Sequence, residues 1–211
     1  MVAQIQIPRT YSPEEYLALE IASETRSEYI DGEIIPMAGG MPNHNRIVRN
    51  LCTLMTVKMQ GQPYEVFVAE QRLWIPKQRI YTYPDLMVVQ GNLICQEGRK
   101  DTIINPSLIL EVLSKSTRNY DQGEKFSYYR TISTFQEYLL VDQYSHHVQQ
   151  YIKTGVKRWE FQEYDGLEDE ITFASVSFAI AIADIYEKVE LELPETEFMQ
   201  EVTPTNLEEM T

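Results

Sequence analysis

Ser107-Leu-Ile-Leu-Glu-Val-Leu-Ser114 is the stretch on which the fold turns. Its length and its run of Leu, Ile and Val side chains predict a buried strand. Alternation puts Ile109, Glu111 and Leu113 on one face, with Leu110 and Val112 on the other. Glu111 is out of character there, because no other charged residue lies between Asp101 and Lys115. An unpaired buried carboxylate costs on the order of several kcal/mol, so such a group neutralises, pairs or holds a metal. Upstream, Tyr83-Pro-Asp85-Leu-Met-Val-Val89 opens a second apolar strand with an acid at its head. If the two strands are neighbours, the carboxylates of Asp85 and Glu111 converge. Oxygen ligands favour a hard cation, and Mg²⁺ typically takes one or two carboxylates and keeps its waters. An ion so held activates a water and offsets charge on a phosphate.

Downstream of this strand, 120–132 reads as a helix, and a crossover helix packs back on its own sheet. Its first turns therefore reach toward Glu111. Asp121 and Lys125 are four apart and share a face, which makes Lys125 the candidate cation of the site. The alternative is an exposed helical ion pair worth about 0.3–0.5 kcal/mol. Strands are predicted at 136–141, 147–154 and 157–164, the last two as a hairpin around Thr154-Gly155.

Upstream, strands are predicted at 64–69, 71–76 and 85–90, with a polar segment, 91–105, leading to 107–113. Ser12, followed by Pro13 and two acids, caps a short helix. Asp31-Gly32 marks a hairpin turn. A second helix, capped by Asn43, runs to about Gln60, with Ile47, Leu51, Leu54, Met55 and Met59 on one face. This order predicts a single α/β (α+β) domain, 1–191, with a mixed central sheet flanked by helices. Residues 192–211, rich in Glu, Thr and Pro, are expected to form an acidic solvated tail.

Bulk properties narrow the function. The net charge is −14, of which residues 184–211 carry −8 and the remaining 183 residues −6. That balance argues against tight non-specific binding of nucleic acid, so any such contact needs a local basic patch or a bound metal. No apolar run reaches the roughly 18 residues of a membrane span. The first residues lack the pattern of a signal peptide. Cys52 and Cys95 are widely spaced and fit reduced thiols in the cytoplasm better than a disulfide.

Pro84-Asp85 followed by Glu111-Val-Leu113 resembles the PD-(D/E)XK signature of restriction-endonuclease-like nucleases. More closely, the chain resembles the Uma family of "putative restriction endonucleases". The resemblance runs from Tyr11 to about Tyr186. It rests on Ser27-Glu-Tyr-Ile-Asp-Gly-Glu-Ile-Ile-Pro-Met37, Asn43-His-Asn-Arg-Ile47, Tyr83-Pro-Asp85, Glu111-Val-Leu-Ser-Lys-Ser-Thr117, Asp121 with Lys125, and Glu137-Tyr-Leu-Leu-Val-Asp142. One position departs: the signature lysine, two residues past the second acid, is Leu113. In this family the lysine is displaced to the following helix, which Asp121 and Lys125 match.

The resemblance implies a Mg²⁺-dependent (or Mn²⁺-dependent) endonuclease acting on DNA. Asp85 and Glu111 would be its metal ligands, Lys125 would complete the catalytic set, and His44, Glu33 and Asp121 would support it. Lys115 and Arg118, basic and close to Glu111 in sequence, are the expected phosphate contacts. Nuclease-like folds commonly cut two strands as homodimers, so a homodimer is expected by analogy. The rival expectation is a nuclease-fold binding or assembly module without turnover, suggested by Leu113 and by the acidic balance. RNA or a nucleotide also stays open as a substrate, since a phosphodiester metal site does not identify the sugar.

Overall fold

The computed structural model describes residues 9–37 and 39–191; the predicted acidic tail lies outside these. Helix α1 spans Pro13–Ala22 and starts with a reciprocal capping box. The Ser12 hydroxyl accepts from the Glu15 N–H at 3.1 Å, and the Glu15 carboxylate accepts from the Ser12 N–H at 2.8 Å. The hairpin of β1 (Ser27–Ile30) and β2 (Glu33–Pro36) closes through Asp31 and Gly32. Their φ angles of 41° and 110° are the left-handed pair that matches strand twist.

Helix α2, Pro42–Lys58, begins after Met41 and carries no side-chain cap. The predicted cap, Asn43, lies inside the first turn instead, where its amide donates to the Glu190 carbonyl at 2.8 Å. Pro42 explains the shift, since its fixed φ suits the first helical position and it has no N–H to satisfy.

The strands then follow as β3 (Tyr64–Val68), β4 (Arg72–Ile75), β5 (Ile80–Thr82), β6 (Leu86–Gln90), β7 (Thr102–Ile103), β8 (Leu108–Leu113), β9 (Glu137–Asp142), β10 (Val148–Gly155) and β11 (Arg158–Tyr164). Seven of these nine lie close to the predicted spans; β5 has no predicted counterpart, and β7 falls within 91–105, read as a polar link, because two or three residues are too few to show an alternating pattern. The short strands β12 (Glu170–Thr172) and β13 (Ala179–Ala181) form a separate hairpin, and α5 (Ile182–Ile185) follows. The mixed α/β class is as expected, within one domain, but two mixed sheets share the work of one. The larger runs β11-β10-β9-β8-β6-β3, parallel only between β8 and β9. The smaller runs β2-β1-β5-β4-β7, parallel only between β4 and β7.

Strand β8 is buried along its whole length and splits its side chains between two cores. Leu108, Leu110 and Val112 pack with Ile47, Leu51 and Met55 of α2 and with Ile182 and Ile185 of α5. Ile109 and Leu113 pack with Leu73, Ile75 and Ile80 of the smaller sheet and with Tyr129, Phe135 and Tyr138. Each such aliphatic side chain contributes roughly 1.5–3 kcal/mol of burial. Register is therefore strongly fixed, because a one-residue slip would exchange the two faces. A third, aromatic cluster of Tyr16, Tyr29 and Tyr81 joins α1 to the smaller sheet. Among the described residues, no helix is long and apolar enough to cross a membrane.

The helix predicted over 120–132 is shorter and interrupted. An α-turn, α3 (Arg118–Tyr120), passes into a five-residue π-helical turn, Asp121–Lys125, and then into α4, Phe126–Tyr129. The Tyr138 hydroxyl donates to the Asp121 carbonyl at 3.0 Å within this turn. Such single π turns are wider than α turns and are frequent at functional sites.

Candidate active site

Pairing of Leu86 with Leu110 brings the head of β6 level with the middle of β8. Asp85, one residue before β6, therefore sits beside Glu111. Its N–H donates to Glu111 Oε2 at 3.3 Å, and its Oδ2 accepts from the Val112 N–H at 2.7 Å. His44, on the first turn of α2, brings Nε2 to 3.1 Å from the same Oδ2. Among the described residues, no hydrogen bond falls on Asp85 Oδ1. The side chains of His44 and Asp85 are 18% and 23% exposed, against 3% for Glu111, so the cluster opens to solvent at this end.

The inner end is built by the π turn. Lys125 Nζ lies 3.0 Å from Glu111 Oε1 and 3.0 Å from Asp121 Oδ1. The first contact is a hydrogen bond; the second is an ion pair whose angles fall outside hydrogen-bond geometry. The Tyr129 hydroxyl donates to the same Glu111 oxygen at 2.7 Å. Glu28, on β1, adds a third carboxylate 3.9 Å from Nζ, and its Oε1 accepts a short hydrogen bond from Thr82 of β5. The ring of Tyr120 faces the ammonium at 5.6 Å.

Four carboxylates, Glu28, Asp85, Glu111 and Asp121, thus surround one ammonium and one imidazole. Burial, with Asp85 and Asp121 nearby, pushes the Glu111 carboxyl up to about 8 against the pull of Lys125. Burial alone would lower Lys125, but Glu111, Glu28 and Asp121 more than reverse it and hold the ammonium protonated. Burial also disfavours protonated His44, yet the bond and charge of Asp85 outweigh it and raise its pKa.

Asp85, Glu28 and Asp121 leave negative charge in excess over Lys125 and His44 even with Glu111 neutral, and a divalent cation would offset that excess and favour the ionised form of Glu111. Three of the four buried polar atoms without a hydrogen bond among the described residues also lie here: His44 Nδ1, Tyr120 Oη and Asp121 Oδ1, the last met only by the Lys125 ion pair. Native interiors leave few such atoms, so their clustering marks a place built for something further. The described residues offer no group of three or more His, Cys, Asp or Glu arranged to hold a metal. The donor set is instead Asp85 at the solvent-facing end with the buried Glu111 behind it, which suits an ion that takes one or two carboxylates and keeps its waters on the open side.

The structure brings together Asp85, Glu111, Lys125, Asp121 and His44. It does not bring in Glu33, which is exposed at the start of β2 and makes no hydrogen bond or ion pair with the cluster. Lys115 is exposed and lies over the Tyr144 ring at 5.2 Å. Arg118 is engaged elsewhere, 2.5 Å from the buried carboxylate of Asp142. Sequence reading missed Glu28, Tyr120 and Tyr129. Tyr129 lies one helical repeat beyond Lys125, and that spacing could have found it. Glu28 sits in an ordinary-looking hairpin, and its burial comes from partners more than fifty residues away.

Residues 13–183 match the family described as "Uma2: Putative restriction endonuclease". Two uncharacterised proteins of Synechocystis sp. (strain ATCC 27184 / PCC 6803 / Kazusa) are similar. Sll1609 is 43% identical over 160 residues, 76% of this chain and 90% of that protein. Slr1290 is 35% identical over 178 residues, 83% and 90% respectively. A crystal structure of a putative nuclease belonging to DUF820 from Anabaena variabilis ATCC 29413 has the same fold. It superposes with a TM-score of 0.69 at 20% identity, covering 84% of this chain and 98% of that one.

Proposed function

The chain belongs to the Uma2 family of "putative restriction endonucleases", and we propose on that premise that it is a Mg²⁺- or Mn²⁺-dependent endonuclease hydrolysing DNA phosphodiesters. Nuclease-like chemistry follows from the family; the metal and the DNA substrate are our reading. The observation that carries it is the convergence of Asp85 and Glu111 from adjoining strands, with Lys125 beside Glu111. That set would supply the PD-(D/E)XK chemistry with its lysine delivered by a helix.

Asp85 and Glu111 would hold the ion, which when bound lowers the pKa of a water and neutralises charge on the scissile phosphate. Lys125, held protonated by its carboxylates, orients the attacking water and offsets the negative charge that grows on the phosphoryl oxygens. His44 fixes the carboxylate of Asp85 from the solvent side. Asp121 keeps Lys125 from swinging out. Lys115 remains free to meet a phosphate, whereas Arg118 can do so only by leaving Asp142. A homodimer would place two such sites on opposite strands. Cys52 and Cys95 are both free thiols, which suits the cytoplasm.

The second reading, a binding module without turnover, draws on one feature: Lys125 occupies the Glu111 oxygen on the inner side of the acid pair. Calorimetric titration with Mg²⁺ and Mn²⁺ separates the readings. The nuclease reading expects binding at millimolar concentrations or below that Asp85→Ala abolishes. No binding by the native protein favours the inert module.

A further inference from the structure

Glu28 is the one acid of the cluster to which the proposed reaction assigns no task. It lies on β1, in the smaller sheet, only 8% exposed. Its carboxylate faces Lys125 across 3.9 Å, just beyond hydrogen-bond reach. Thr82 of β5 holds its Oε1 in place. Lys125 has three N–H donors and spends one in a well-formed hydrogen bond, on Glu111 Oε1. Tyr129 donates to that same oxygen. Among the described residues Glu111 Oε2, on the Asp85 side, accepts only the Asp85 N–H at 3.3 Å, and a cation taken there would repel the ammonium across one carboxylate and weaken its hold on Oε1.

We infer that Glu28 is a positioning residue that receives the Lys125 ammonium when Glu111 turns to a divalent cation. The inference rests on the metal-dependent reading above and adds a carboxylate to it. A move of about 1 Å brings Nζ from its present distance to hydrogen-bond range of Glu28. Asp121 can keep contact throughout, since it lies on the same turn as Lys125. The ammonium thus stays buried and compensated, while Glu111 is released. Without Glu28, Lys125 would remain on Glu111 and compete with the metal for it.

The first test is a crystal structure of the native protein grown with Mn²⁺. The expected result is Mn²⁺ between Asp85 and Glu111, with Lys125 Nζ within hydrogen-bond range of Glu28. Lys125 still bonded to Glu111 with the ion present overturns the inference. The second test is Mn²⁺ affinity by calorimetry in Glu28→Gln, which keeps an oxygen for Thr82. Affinity is expected to fall about tenfold or more, the usual scale for groups acting behind a ligand. The metal-free melting temperature is expected to hold or rise, because one excess negative charge is gone.

Unchanged affinity in Glu28→Gln overturns the inference and leaves the metal site standing. Absence of Mn²⁺ binding by the native protein overturns both. In a Lys125→Met background the effect of Glu28→Gln is expected to vanish; an undiminished effect would make Glu28 a ligand itself and overturn the positioning role. If Lys125→Met does not fold, the Mn²⁺ structure decides alone.

Discussion

Lys125 is where stability and chemistry meet. Its ammonium is nearly buried and compensates carboxylates that the two sheets and its own turn bring together. Removing one partner from a buried ionic cluster leaves uncompensated charge and costs about 3–5 kcal/mol. Lys125→Ala is therefore expected to lose about 3 kcal/mol or more of metal-free stability in urea denaturation, and saturating Mg²⁺ should restore part of it. A loss below about 1 kcal/mol would mean that the acids share protons and need no cation. Tyr129→Phe removes one hydrogen bond to the Glu111 carboxylate. Its expected cost is about 1.5–3 kcal/mol, measured the same way.

At the scale of elements, the longer strands were the most legible part of this chain, whereas β5, β7, β12 and β13, of two or three residues each, are too short to show a pattern. The apolar run of β8 gave both its burial and the face of Glu111, since alternation is a local property of backbone geometry. The helix after it was less legible. Its 3.6-residue pattern predicted one continuous helix, but the segment that carries Asp121 and brings Lys125 to Glu111 is a π turn. The start of α2 shifted for a local reason, Pro42, that outranked the capping preference of Asn43. Glu28 left no local trace at all, because its burial arises only when β1 docks on β5 beside the π turn.

The link between β4 and β7 gives a test at this scale. Arg99 donates to Asp101 at 2.8 and 2.6 Å, and Arg72 of β4 lies 3.3 Å away. The hydrogen bonds and charge of Arg99 hold the Asp101 carboxyl below its ordinary 3.8. A lowered folded pKa means stability that is present above 3.8 and is lost as pH falls through the folded value. The native protein should therefore exceed Asp101→Asn at pH 7 by no more than about 1 kcal/mol, the range for a half-exposed pair. That margin should shrink below pH 3.8. A margin independent of pH would assign the effect to packing.

For the whole molecule, charge is the governing quantity. A net charge of −14 opposes approach to DNA except where a bound cation and the exposed Lys115 would offset the negative charge of the site. Residues 192–211 add to the repulsion, so their removal is expected to raise DNA affinity at low salt, in a filter-binding or anisotropy assay; unchanged affinity would free the tail from that role. The central claim is that Asp85, Glu111 and Lys125 form a metal-dependent nuclease site. Cleavage of supercoiled plasmid with Mg²⁺ or Mn²⁺ tests it most directly, with native protein beside Asp85→Ala and Lys125→Ala. The account predicts nicking that needs the metal and falls by at least about a hundredfold in both variants. Nicking that survives in Asp85→Ala would contradict it.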